Sequence, residues 1–166
     1  MTPSIVMESF TYFKEVFFMN WNANDMDTYL QQKDYIDTLL IPLLKLETEP
    51  ESMKSSSSST EFLMHLSSFI ENQFKGRIML SPPLSYTQST DLVKMAETLS
   101  KDIALMEFKH VFYITTDANW TSSKVEGEVI WLPSIPLESM DKQLRQTIIE
   151  DQLRQVLPRL TKKWSE

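Results

Sequence analysis

The chain has 166 residues, is 42% hydrophobic, and carries 23 acidic against 16 basic residues for a net charge of −7. That length suits one domain with its own core, and the acidic balance disfavours nucleic-acid binding through a whole-protein field. With no Cys, two His and two Gly, the chain has no disulfide framework, thiolate zinc site or Cys nucleophile, and lacks glycines for the usual phosphate cradles.

Residues 1–18 form an N-terminal extension in which Val6, Phe10, Phe13 and Phe17 fall at helical spacing. Three readings stay open for it. It is an amphipathic helix for a partner or membrane surface, a helix packed on the domain, or a start-site artefact upstream of translation from Met19. It does not read as a secretory signal, because no basic segment precedes an uninterrupted apolar run. No stretch of about 18 apolar residues predicts a membrane span.

Residues 19–166 read as a single α/β domain. Asn24, with Asp25 and Asp27 in the first turn, opens a short helix whose face holds Met26, Tyr29, Leu30 and Lys33. Thr38 to Leu46 is an apolar run of strand length, with Pro42 arguing for an edge strand or bulge. Residues 48–60, ending in the run Ser55 to Ser59, read as a Ser-rich polar loop. Ser58 and Glu61 resemble a capping box for the next helix, with Phe62, Leu66, Phe69, Ile70 and Phe74 as its stripe and Gly76 as its stop.

Arg77 to Ser81 is a short strand closed by Pro82 and Pro83. Leu92, Ala96, Leu99, Ile103 and Met106 mark the clearest helix of the chain. His110 to Thr116 and Lys124 to Leu132 are strands, and the short loop Asp117 to Ser123 predicts a hairpin between them. A long helix is expected from Leu137, with Leu144 among its inward positions and Pro158 as a kink or end. Strands alternating with helices predict a small three-layer α/β sandwich. Its sheet is four-stranded and mostly parallel, in order 2-1-3-4, with strand 4 antiparallel.

In such sheets ligands gather outside the carboxyl ends of the strands. Those ends supply Lys45 and Glu47, then Ser81 to Tyr86, then Asp117, Asn119 and Trp120. Ser81, Tyr86, Asp117, Asn119 and Trp120 are therefore the candidate ligand- or partner-binding residues. Turn chemistry and packing of Trp120 over the sheet edge are the competing explanation for the last three. No catalytic residue is assigned. His65 and His110 read as surface or interface residues, and no spacing suggests a metal. The basic end, Arg159 to Trp164, fits helix-dipole chemistry with Trp164 packed back on the domain, or contact with an anionic surface.

Some segments also resemble a known family. They are Met19-Asn20-Trp21, Asp25-Met26-Asp27 with Tyr29-Leu30, and Lys33-Asp34-Tyr35-Ile36-Asp37-Thr38 running into Leu40-Ile41-Pro42-Leu43. From Met19 to about residue 164 the chain is similar to the YpiF-like proteins of spore-forming Gram-positive bacteria, a family of uncharacterised proteins. The resemblance implies no activity, cofactor or site residue. It implies a gene neighbourhood beside menaquinol–cytochrome c reductase and hence an accessory role near respiration.

The leading expectation is a non-enzymatic, cytoplasmic interaction or accessory protein that needs no cofactor. It would have a protein partner, no nucleic acid and no transmembrane segment, with peripheral membrane contact a lesser option and oligomeric state open. The alternative is a small-ligand-binding or hydrolytic domain using the Asp117–Trp120 loop.

Overall fold

The computed structural model describes residues 19–166; the N-terminal extension expected over residues 1–18 lies outside the described residues. The elements are α1 (Ala23–Gln31), β1 (Thr38–Leu46), α2 (Pro50–Gln73), β2 (Ile78–Leu80), β3 (Leu84–Thr87), α3 (Leu92–Ala104), β4 (His110–Thr115), a 3-10 turn (Ala118–Ser122), β5 (Glu128–Trp131) and α4 (Lys142–Trp164). The sheet runs β2-β1-β4-β5, with β3 also paired to β1, and every pairing is parallel.

Alternation along β1 builds two cores. Leu40 and Leu44 face α2 and α4 together with Phe62, Leu66, Val156 and Leu160. Leu39, Ile41 and Leu43 face the opposite side with Tyr29, Ala96, Tyr113 and Trp120. The expected three-layer sandwich is therefore the observed architecture. Among the described residues no helix is long and apolar enough to cross a membrane.

Pro42 is not at an edge. It lies in the buried centre of the sheet, paired with Ile114 of β4. The Thr38 amide donates to the Arg77 carbonyl, and the Leu40 carbonyl accepts from the Ser81 amide. By alternation the nitrogen of Pro42 faces that same side. There the neighbouring strand is interrupted at Ser81–Pro82–Pro83, between β2 and β3. The missing donor thus meets a missing acceptor strand, which removes the usual objection to a central proline.

The Ser-rich segment is helix, not loop. α2 starts at Pro50, which is preset for a first helical turn. The Ser56 hydroxyl accepts from the Glu47 amide and donates to the Lys45 carbonyl, both at 3.0 Å. Ser58 reaches Glu138 at 2.9 Å and Ser59 reaches Ser134 at 3.0 Å. These tertiary hydrogen bonds outweigh the modest helix preference of serine.

The last strand is parallel, not antiparallel. Residues 116–127 carry the chain back to the start of the sheet, about the dozen that a parallel crossover requires. The 3-10 turn replaces the usual crossover helix, and Trp120, with no exposed surface, pins it to the core. α4 begins at Lys142 behind an Asp141 cap, later than expected; Leu144 is exposed, and the helix runs through Pro158 to Trp164. Pro158 is itself exposed, so the carbonyl it leaves without a donor faces solvent. Trp164 packs back: its indole N–H donates to Thr38 Oγ1 at 2.8 Å, and the Arg77 guanidinium lies 4.0 Å from its ring centroid. Arg159 pairs with Glu128 and donates to the Val129 carbonyl at 2.9 Å along the open side of β5.

Gly127 has φ +118°, and a Cβ there would stand 2.9 Å from the Val111 carbonyl oxygen. Gly127→Ala is expected to cost about 1–3 kcal/mol through backbone strain, read as a lower denaturant midpoint with unchanged m-value.

Candidate functional site

Asp117 follows β4 and caps the 3-10 turn: its Oδ1 accepts the Asn119 amide at 3.0 Å, while its own amide donates to Thr115 Oγ1 at 3.0 Å. Its Oδ2 accepts the Tyr86 hydroxyl proton at 2.6 Å. The same hydroxyl accepts from the Trp120 indole N–H at 2.8 Å. The two rings meet edge to face, 5.7 Å apart. β3 supplies Tyr86, paired with Lys45 of β1, so the chain Trp120–Tyr86–Asp117 spans the carboxyl end of β1. Burial, then the hydrogen bond to Asp117, hold the Tyr86 hydroxyl well above the ordinary tyrosine range.

Three of the five candidate residues therefore come together, but mainly with one another. Trp120 forms no aromatic wall, since it is wholly buried. The exposed indole of the region is Trp131, whose N–H donates to the Thr116 carbonyl at 3.2 Å. Ser81 stands apart at the break between β2 and β3, with its hydroxyl bonded to the Pro82 carbonyl at 3.0 Å. Asn119 is exposed and turns to a different hollow.

Two hollows flank the relay. Outside the carboxyl ends of β1 and β4, a polar crevice of about 220 Å3 is lined by Lys45, Glu47, Ser55, Ser59, Thr116 and Asp117. It occupies the switch point of the sheet, because β1 leads into α2 on one face and β4 into the Trp120 crossover on the other. Lys45 and Glu47 pair at 3.2 Å within it. The serines that α2 contributes lie in an unbroken run, Ser55 to Ser59, in which no spacing marks which of them face the crevice.

The second hollow is a groove of about 590 Å3 between α3 and residues 118–124. Leu92, Val93 and Ala96 meet Asn119, Ser122, Ser123 and Lys124 there. The Ser123 hydroxyl is buried without a hydrogen-bond partner. Neither His joins these sites. His65 lies in a hollow between α2 and α4, and His110 opens β4 at the far end of the sheet, where burial lowers its pKa. Among the described residues no cluster of His, Cys, Asp or Glu could hold a metal.

Tyr86→Phe leaves the buried Trp120 N–H without its acceptor. The expected cost is about 1–3 kcal/mol of folding stability, measured by chemical denaturation, whereas Asn119→Ala should stay within about 0.5 kcal/mol of the parent.

Residues 27–164 match the model of a family described as a protein of unknown function (DUF2487). The uncharacterized protein YpiF of Bacillus subtilis (strain 168) is 33% identical over 147 residues, covering 89% of this chain and 99% of that protein. No solved structure matches. Since the family match runs from within α1 to the end of α4, taking in every described strand and both hollows beside the Trp120–Tyr86–Asp117 hydrogen bonds, the chain belongs to the DUF2487 family of proteins of unknown function.

Proposed function

We propose that this chain is a non-enzymatic accessory protein of the cytosol that binds a protein partner through the groove between α3 and residues 118–124. The carrying observation is a contrast between two neighbouring places. The polar side chains that a strand-end chemistry would use are engaged with one another, Trp120 to Tyr86 to Asp117. The adjacent groove instead presents apolar surface, with Val93 on its rim 69% exposed. An apolar hollow with a polar rim suits an apolar side chain of a partner, with Asn119, Ser122 and Lys124 to orient it. The cytosolic placement rests on the acidic balance of the chain, which favours solubility.

The polar crevice supports a second reading, a small hydroxyl- or amine-bearing ligand held between Lys45, Glu47 and Asp117. Its size is below the roughly 300–1,000 Å3 of ordinary ligand pockets. Hydrolysis there would need a free base, whereas Asp117 accepts the Tyr86 hydroxyl proton and Glu47 pairs with Lys45.

Backbone NMR with a library of small apolar fragments separates the two readings. Shifts should cluster at Val93, Ala96, Asn119 and Ser123, and Val93→Asp should erase them while leaving stability within about 0.5 kcal/mol. Shifts centred on Lys45 and Thr116 would transfer the function to the crevice.

A further inference from the structure

The open side of β2 is extended by the first described residues. The Leu80 amide donates to the Met19 carbonyl at 3.1 Å, and Asn20 forms a parallel bridge with Leu80. Two carboxylates close over this segment. Glu71 of α2 accepts from the Met19 backbone nitrogen at 2.6 Å. Asp25 of α1 accepts from the Asn20 amide at 2.9 Å and from the Asn22 side chain at 2.7 Å. Glu71 is 1% exposed, Asp25 7% and the Met19 side chain 8%.

Buried carboxylates near one another are costly unless a cation offsets them. Of the charged groups acting on Glu71, Asp25 repels its ionised form, and the attraction of Lys75 is the weakest of the four influences on it. The donor at 2.6 Å is a backbone nitrogen. It is neutral when a peptide bond precedes Met19 and an ammonium when none does. With the neutral donor, burial pushes the Glu71 carboxyl up to about 7. With an ammonium, the same contact becomes a charge-assisted pair that keeps the carboxylate ionised.

We propose that the clasp of Glu71 and Asp25 is built for a free α-ammonium at Met19, so that the working chain starts at this residue. The ion pair fixes the first residue on the β2 side of the sheet, while the buried Met19 side chain seats it in the core beside α1 and α3. Glu71 is then a positioning residue for the chain terminus rather than an unpaired buried acid.

The test compares a chain carrying residues 1–18 with one that starts at Met19 with a free amine. Every described secondary-structure element lies within residues 19–166, so the shorter chain keeps all of the described elements. A 13C NMR titration of the Glu71 carboxyl should give about 7 in the longer chain and a value below the ordinary 4.5 in the shorter. Linkage fixes the sign for stability. In the longer chain the folded carboxyl keeps its proton up to about pH 7, whereas the unfolded one releases it near 4.5. Stability therefore falls as pH rises through that window and levels off above it, by roughly 300-fold in the unfolding equilibrium. In the shorter chain the fall is absent, and Glu71→Gln removes it from the longer chain as well. An unchanged Glu71 pKa or a shorter chain that does not fold overturns the proposal. So does an intact mass, from protein taken from its own cells, that retains residues 1–18.

Discussion

β1 lies under helices on both faces and between strands on both sides, and it is buried from Thr38 through Leu44. A strand so placed must have its backbone groups paired, because no water reaches them. That requirement governs its neighbours. β4 pairs with it from Thr38 to Leu43, while the other side is shared by β2 and β3 with a gap opposite Pro42. The proline and the Ser81–Pro83 break are one feature seen from two strands. The gap also frees β3 to carry Tyr86 over the end of β1, where it meets Asp117 and Trp120.

The crossover between β4 and β5 shows how a parallel connection is held without a full helix. Asp117 caps a single 3-10 turn, and Trp120 supplies in one side chain the apolar anchor that a helix face would otherwise give. The Tyr86 hydroxyl satisfies the indole N–H and in turn finds its acceptor in Asp117, so the buried polar groups form a closed chain. The groove proposed for partner binding runs along the far side of this turn. Its shape is thus tied to the same three residues.

Much of the architecture was legible in the sequence because burial dictates pattern. The apolar run of β1, the β-branched and aromatic run of β4, and the four-three spacing of α3 each identify the type of element, although Pro42 hid the central place of β1. The serine run misled because its helix is stabilised by groups distant in sequence, Lys45, Ser134 and Glu138, which no local window contains. The direction of β5 was hidden for a related reason. Asp117 to Ser123 has hairpin length, and only the burial of Trp120 turns it into a crossover. Asp117, Tyr86 and Trp120 were identifiable as strand-end residues; that they bond to one another depends on β3, a strand too short to be read beside two prolines.

Arg159 has a consequence for how this molecule tolerates crowding by its own kind. The outward groups of β5 would offer a template on which any extended chain could add, the common route from a parallel sheet to fibrils. The guanidinium occupies the Val129 carbonyl and sets a charge pair with Glu128 across that flank. At the opposite flank, Met19 takes the Leu80 amide. At each of these two places the chain itself supplies a partner to an edge backbone group, which removes that group from the set a second strand could pair with.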